Sequence, residues 1–164
     1  GRFGMKLQQA IFWAADVLQR IAGILLVGMM LLTCLDVVGN IFGHPILGTE
    51  EMVSLMAAML LAFVLPSAHM KKAHIGIDLL YARLSRRQRK INDLFIGCLS
   101  FFFFMLTAWQ CFLYAGELKA TGEVSATLEL PLYFVLYAIS MACFILAMAI
   151  LSECWTMVKR DRHD

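Results

Sequence analysis

Charged side chains are scarce in this sequence of 164 residues. Lysine, arginine, aspartate and glutamate make up 16% of the chain, while hydrophobic residues make up 61%. Soluble domains are about a quarter charged and about half apolar. So small a domain cannot bury this excess, because its surface is large relative to its volume. The composition therefore excludes a disordered chain, argues against a soluble enzyme and predicts an integral membrane protein.

The sequence also has no cysteine in a polar loop. All five cysteines lie inside apolar runs, which argues against a disulfide framework and favours buried free thiols. No nucleophile–base pair, phosphate-binding loop or cluster with metal-ligand spacing is recognisable. We therefore predict no enzymatic activity, no catalytic or metal-binding residues and no cofactor. The net charge of +2 gives no reason to expect a nucleic-acid partner.

Long apolar runs are abundant, and four of them have the length of a membrane span. A helix that crosses the hydrocarbon core of about 30 Å needs about 20 mainly apolar residues. The four runs lie at about 21–42, 52–68, 94–116 and 130–152. In lipid only helices and closed barrels satisfy their own backbone groups, and runs this apolar form helices. The predicted fold class is an all-α membrane protein with four transmembrane helices in one domain, residues 1–164.

Lysine and arginine alternate between the predicted loops. Of the 14 basic residues, three precede the first span, seven lie between the second and third spans, and three follow the fourth. The first loop has none, and the third has only Lys119. The positive-inside rule then places both termini and the second loop in the cytoplasm. We expect a multi-pass protein of the bacterial inner membrane whose first and third loops face outward.

Two segments outside the spans are amphipathic. Residues 5–20 predict either a helix on the inner membrane surface or an extension of the first span. Residues 75–84 predict a second short interfacial helix, and Ser85 with Gln88 forms a capping-box pattern for the third helix. The basic residues that follow are expected to contact anionic phospholipid. Residues 1–4, which precede Met5, are expected to be a tag remnant.

Asp36 interrupts the first apolar run, and an ionisable residue within a span is a candidate functional residue. Along a helix it lies about 24 Å from Arg20, which places it near the outer interface. Three roles are open at this point. Asp36 could accept a hydrogen bond from Thr33 or Asn40 one turn away, contact a partner protein, or relay protons.

The second helix opens with acidic residues. Thr49 is the predicted N-cap, and Glu50 and Glu51 follow at the positive end of the helix dipole. All four histidines lie at span ends or in loops. A membrane di-haem protein needs histidines inside its spans, so the pattern argues against haem.

Four ordered motifs resemble those of a known family. They are Asp36-Val37-Val38-Gly39-Asn40, Pro45-Ile46-Leu47-Gly48-Thr49-Glu50-Glu51, His74-Ile75-Gly76-Ile77-Asp78 and Thr127-Leu128-Glu129-Leu130-Pro131. In this order, and with four spans, the chain resembles the small integral-membrane subunit of TRAP (tripartite ATP-independent periplasmic) transporters. The resemblance covers most of the chain. Family members often carry arginine at the position of Asn40, so this chain lacks a helical charge pair with Asp36.

The resemblance implies a non-enzymatic subunit of a sodium-coupled transporter. A large elevator-type membrane subunit would hold the substrate and sodium sites. A periplasmic binding protein would deliver an organic acid such as a C4-dicarboxylate, keto acid or sialic acid. The small subunit would pack against the scaffold of the large one and help to dock the binding protein. The residues implied as family-motif or partner-interface positions are Asp36, Asn40, Pro45, Glu50, Glu51, His74, Asp78 and Pro131.

We expect the partner interface on the first and second helices, where small residues favour close helix packing. These small residues are Gly23, Gly28, Gly39, Ala57, Ala58 and Ala62. Two alternative functions stay open. A haem- or quinone-binding anchor of a redox complex would also have four helices, and its colour would distinguish it. A small homodimeric exporter would need a deep carboxylate, whereas Asp36 is shallow.

Overall fold

Four long helices make up most of the computed structural model, which describes residues 2–44, 46–70, 86–125 and 128–160. The helices are α1 (Arg2–Ile41), α2 (Thr49–Met70), α3 (Arg86–Thr121) and α4 (Tyr133–Arg160). Each contains a stretch that is long and apolar enough to cross a membrane. The four stretches are Gln9–Ile41, Thr49–Met70, Asn92–Thr121 and Tyr133–Trp155. The predicted all-α fold with four transmembrane helices is therefore confirmed.

Glycine ends two of the helices at the same end of the bundle. Gly43 follows α1 with a φ of 76°, and Gly122 follows α3 with a φ of 69°. Beyond Gly122, the backbone N–H of Glu123 donates to the carbonyl of Leu118 at 3.2 Å. A left-handed residue at this position turns the chain so that it satisfies the last free carbonyls of the helix. We call this end, which holds the connections 42–48 and 122–132, the loop end.

The first helix is much longer than a membrane span. α1 is a single helix of 40 residues, about 60 Å long, which is about twice the thickness of the hydrocarbon core. Residues 5–20 therefore extend the first span as one helix, which is one of the two forms that their pattern predicts. Among the described side chains of residues 9–22, those of Ile11, Ala15, Leu18 and Ala22 are buried.

The fourth helix lies at the centre of the packing. In an 18-residue apolar stretch of each span, buried residues make up 39% for α4, 22% for α2 and 6% for both α1 and α3. Leu18 and Ala22 of α1, Ala62 and Phe63 of α2, and Ala142 of α4 form one apolar cluster. α3 packs mainly on the other side of α4. The bundle is therefore held by α4, with α1 and α3 at its periphery.

Small residues allow α3 and α4 to approach closely. Ala115 of α3 is fully buried, and the buried Ser140 hydroxyl of α4 donates to the Ala108 carbonyl across the interface at 2.8 Å. A Cβ at Gly97 would lie 2.5 Å from the Cys154 Sγ, so only glycine fits there without a shift. Contacts of this kind replace the hydrophobic effect, which does not drive helix association inside lipid.

The same use of small residues joins α1 and α2, where a Cβ on Gly28 would lie 3.0 Å from the terminal methyl of Met56. Gly28 and Ala62 thus pack within the chain. By contrast, Gly23 has open space where a Cβ would lie, and Ala58 is exposed. Some of the small residues that were expected at a partner interface therefore pack within this chain instead.

Some sequence-based expectations concern segments outside the described residues. These include the amphipathic segment 75–84 and Ser85 of the capping-box pattern. At the loop end, α4 begins at Tyr133 and not at residue 130. The reason is that Pro131 is paired in an antiparallel bridge with Val124 before the helix starts.

Candidate functional site

The side chain of Asp36 ties the α1–α2 connection to the end of α1. Its Oδ1 accepts a hydrogen bond from the backbone N–H of Ile46 at 2.9 Å. The expected partners were Thr33 and Asn40, but the Thr33 hydroxyl donates instead to the carbonyl of Met29. The helix satisfies Thr33 locally, and this leaves the Asp36 carboxylate free to receive a backbone amide that has left the helix. Asp36 is therefore a structural acceptor for the loop.

The turn after α1 brings Ile46 within reach of Asp36. The N–H of His44 donates to the Gly39 carbonyl at 2.8 Å, and the N–H of Gly43 donates to the Asn40 carbonyl at 3.1 Å. These two bonds form a Schellman motif with Gly43 as its left-handed residue. A Cβ at Gly39 would lie 2.6 Å from the carbonyl oxygen of His44. The chain can fold back this closely because Gly39 has no side chain.

The start of α2 differs from the prediction in its cap. The carbonyl of Gly48 accepts the N–H of Met52 at 3.0 Å, which makes Gly48 the residue that caps the helix. The predicted cap, Thr49, is the first residue of α2, and its hydroxyl donates to the carbonyl of Ile46 at 2.9 Å. Thr49 and Asp36 thus hold the two backbone groups of the same residue, Ile46.

Glu50 and Glu51 lie in the first turn of α2, as predicted. Their carboxylates are at the positive end of the helix dipole, where negative charge is stabilised. Glu50 is exposed and Glu51 is half-buried. Below them, the Ser54 hydroxyl donates to the backbone carbonyl of Glu50 at 2.7 Å.

The two connections of the loop end contact each other at Gly48. Gly48 has a φ of 83°, and a Cβ on it would lie 2.6 Å from the Cγ of Leu128. Leu128 belongs to the α3–α4 connection, 80 residues further along the chain. The motif that opens α2 and the motif that precedes α4 therefore pack against one another, although nothing in their separate sequences indicates a contact.

Backbone hydrogen bonds within the α3–α4 connection close it into a loop around Leu128. The N–H of Ser125 donates to the Leu130 carbonyl at 2.9 Å, and the N–H of Glu129 donates to the Ser125 carbonyl at 3.1 Å. Glu129 has a φ of 52°, which is uncommon for a residue with a Cβ and occurs where neighbouring bonds enforce it. The half-buried Pro131 pairs with Val124 and closes the base of the loop.

An open cleft of about 580 Å³ lies between the end of α1 and the start of α2. Its lining residues are Asp36, Ile46, Leu47, Gly48, Thr49, Glu50, Glu51 and Ser54. The carboxylates and hydroxyls offer hydrogen-bond acceptors to a partner's N–H groups or basic side chains. Within the described residues, no group of three or more histidine, cysteine or acidic side chains is arranged to hold a metal ion.

The structure therefore brings three of the predicted residues to one cleft: Asp36, Glu50 and Glu51. Asn40 is exposed at the end of α1 outside the cleft lining, and Pro131 lies in the neighbouring loop. The other three predicted residues, Pro45, His74 and Asp78, lie outside the described residues. Sequence reasoning missed the roles of Gly48 and Leu128. A glycine directly before the predicted helix start was the available signal for the first of these roles.

A second polar contact joins α2 and α4 at the opposite end of the bundle. The Nε2 of His69 lies 3.0 Å from the Oε2 of Glu153, and both side chains are partly buried. Sequence reasoning placed His69 at a span end but assigned it no partner. The contact fixes the last turn of α2 against the central helix.

A comparison with protein families found a match. A model of the family described as "Tripartite ATP-independent periplasmic transporters, DctQ component" matches residues 29–160. The matched region includes both connections of the loop end and all four helices, apart from the first part of α1. No curated protein and no solved structure gave a significant match.

Replacing Asp36 tests its role as the acceptor for Ile46. We expect Asp36→Ala to lower the free energy of unfolding by about 1–2 kcal/mol, because a backbone N–H loses a charged acceptor. Asp36→Asn keeps an acceptor oxygen and should lose less. Thermal unfolding in detergent measures both. The matched control is Glu50→Ala, an exposed carboxylate of the same cleft. Equal losses for Asp36→Ala and Glu50→Ala would contradict the role.

Two glycines with positive φ allow the stability cost of backbone strain to be measured separately from that of the contact between the two connections. Gly48→Ala should destabilise the protein by about 1 kcal/mol more than Gly122→Ala, because only Gly48 also contacts Leu128. Adding Leu128→Ala to Gly48→Ala should remove most of this difference, since the two residues interact directly. Thermal unfolding in detergent is again the measurement. Additive losses in the double variant would show that the two connections do not touch.

Proposed function

The chain belongs to the DctQ component family of tripartite ATP-independent periplasmic transporters, and we propose from this premise that it is a scaffold for the large transport subunit. As a member of this family it is the small membrane subunit of a TRAP transporter and a multi-pass protein of the inner membrane. In the proposed role it anchors the scaffold of the large subunit in the bilayer. The large subunit itself carries the substrate and moves as an elevator.

The observation that carries this proposal is the distribution of exposed apolar surface. Only 6% of the residues in an 18-residue apolar stretch of α1, and the same share in α3, are buried within the chain. A bundle with two peripheral helices so little covered presents broad lateral faces to its surroundings. Such faces suit a subunit that packs beside another membrane protein. The family match supports another component of the transporter as that protein.

We further propose that transport is coupled to sodium and that the substrate is an organic acid. The candidates are a C4-dicarboxylate, a keto acid and a sialic acid, delivered by a periplasmic binding protein. Support for the coupling and the substrate class comes from the resemblance to TRAP transporters, and the place of the acidic residues supports a substrate site outside this chain. Asp36, Glu50 and Glu51 line an open cleft at the loop end, whereas an organic acid needs a site that provides positive charge. In this proposal the substrate site belongs to the large subunit, and this chain is not an enzyme.

In the proposed orientation both termini face the cytoplasm and the loop end faces the periplasm. The positive-inside rule supports it, because the basic residues concentrate at the termini and between α2 and α3. The cleft and the closed α3–α4 connection would then form a periplasmic surface on which the binding protein docks. The family match gives no support to a redox anchor as the alternative function.

Labelling of single cysteines tests the orientation. In a variant without native cysteines, Glu123→Cys at the loop end should react with a membrane-impermeant maleimide added to intact cells. Gln9→Cys near the start of α1 should react only after the membrane is opened. Both positions are exposed, so access across the membrane decides the result. The reverse pattern would contradict the orientation.

Uptake assays test the function. Cells that contain the large subunit, the binding protein and this chain should accumulate one of the three organic acids, driven by a sodium gradient. Omission of this chain should abolish the uptake, because the large subunit loses its scaffold. The amounts of the large subunit and of the binding protein, measured with and without this chain, show whether lower expression alone explains the loss. Uptake by this chain alone, or undiminished uptake without it, would contradict the proposal.

A further inference from the structure

Between Leu94 and Leu118, the exposed side of α3 is apolar except along one line. The exposed or half-buried residues Thr107, Gln110, Tyr114 and Glu117 recur at intervals of three and four residues, which places them on one side of the helix. We call these four residues the polar stripe. Around it the surface is made of large apolar side chains, among them Phe103 and Leu113, which are 62% and 45% exposed. The stripe runs from the middle of the α3 span to the loop end.

Gln110 is the deepest member of the stripe whose polar group is not bonded to its own helix, since the hydroxyl of the deeper Thr107 donates to the Phe103 carbonyl. Along α3 it is about 10 Å below Glu117 and about 25 Å above Asp93, the acidic residues that bracket the span. Long side chains of a helix point back toward its N-terminus. The N-terminus of α3 is at the opposite end from the loops, so the amide points toward the middle of the membrane and away from the nearer interface.

An exposed amide at this depth is unfavourable in lipid. A glutamine side chain has two N–H donors and one carbonyl acceptor, and acyl chains can bond none of them. Other polar side chains of the spans avoid the problem. The hydroxyls of Thr33, Ser54 and Thr107 donate to a carbonyl of their own helix one turn earlier. Within the described part of the chain, the Gln110 amide has no such partner.

We infer that the polar stripe of α3 is the surface on which a transmembrane helix of the large transporter subunit packs, with Gln110 hydrogen-bonded across the interface. The inference rests on the proposed function, which supplies the partner. Polar side chains at membrane depth face other protein segments and bond across helices. The partner helix must therefore present a hydroxyl, amide or free carbonyl at the depth of Gln110 and small residues beside it.

The inference places the interface on a helix different from the two that sequence reasoning favoured. α1 and α2 use Gly28, Gly39 and Ala62 for contacts within the chain. α3 has the same low burial as α1, and it carries the deep exposed amide. An exposed polar side chain deep in the membrane therefore indicates the interface better than small residues do.

Site-specific photo-cross-linking tests the inference on the complex. The chain, tagged at its C-terminus, is expressed with its large subunit and the benzophenone amino acid is placed at Gln110, at Tyr114 or at Trp109. Trp109 is the matched control, because it is 60% exposed at the same depth but about 100° around the helix. Illumination of membranes should join positions 110 and 114 to the large subunit and position 109 much less.

A conservative substitution tests the hydrogen bond itself. Gln110→Leu keeps the size of the side chain and suits lipid, so the subunit should fold and be recovered in normal yield. The large subunit should bind this variant about three- to twenty-fold more weakly in detergent, which is the range for interhelical hydrogen bonds in membranes. Trp109→Leu should leave binding unchanged. Unchanged binding of Gln110→Leu would contradict the hydrogen bond.

The remaining outcomes separate the inference from the proposed function. If the large subunit co-purifies but cross-links equally or better from position 109, or from neither position, the stripe is not its docking surface and the function stands. An adduct of two copies of this chain would assign the stripe to a homodimer and overturn the inference. If no large membrane subunit co-purifies at all, the proposed function and the inference both fail.

Discussion

A backbone or side-chain polar group inside hydrocarbon has no water to bond, and this constraint shapes each part of the chain. The spans are helices because a helix satisfies its own backbone. Where a helix must end, the chain supplies internal partners. Gly43 and Gly122 turn the backbone so that the last carbonyls are bonded, and Asp36 receives the N–H of Ile46. The loop end is thus built from groups that would otherwise be unsatisfied near the membrane.

This constraint also connects residues that are distant in sequence. Ile46 is held at its N–H by Asp36 and at its carbonyl by Thr49. The loop so formed places Gly48 against Leu128 of the other connection. Two motifs that look independent in the sequence therefore build one surface at the loop end. In the proposed orientation this surface would face the periplasm and would be available to the binding protein.

Much of the fold could be predicted from local patterns, because hydropathy alone defines the four spans. The helical extension before Arg20 was one of two forms that its periodicity allowed. The central position of α4 was not predictable, since all four runs are similarly apolar and burial depends on which helices meet. The same limit explains the errors at the site. One of the three roles left open for Asp36 was a hydrogen bond within one turn, whereas its partner is ten residues away in a connection whose path depends on Gly39 and Gly43.

Residues that resist a local explanation are the most informative about function. Glu50 and Glu51 are accounted for by the helix dipole, and Asp36 by a loop amide. Gln110 is accounted for by neither, because it is exposed at depth on a helix that the chain leaves largely uncovered. The family match makes this chain one component of a larger transporter, and an exposed deep amide such as that of Gln110 suits contact with another component.

The central claim is that this chain functions as one part of a heteromeric membrane complex. Its most direct test is the mass of the intact particle, purified by a C-terminal tag from native membranes in mild detergent. The account predicts one copy of this 18.5 kDa chain in stoichiometric complex with a much larger polytopic membrane protein. A particle that contains only copies of this chain would contradict the account.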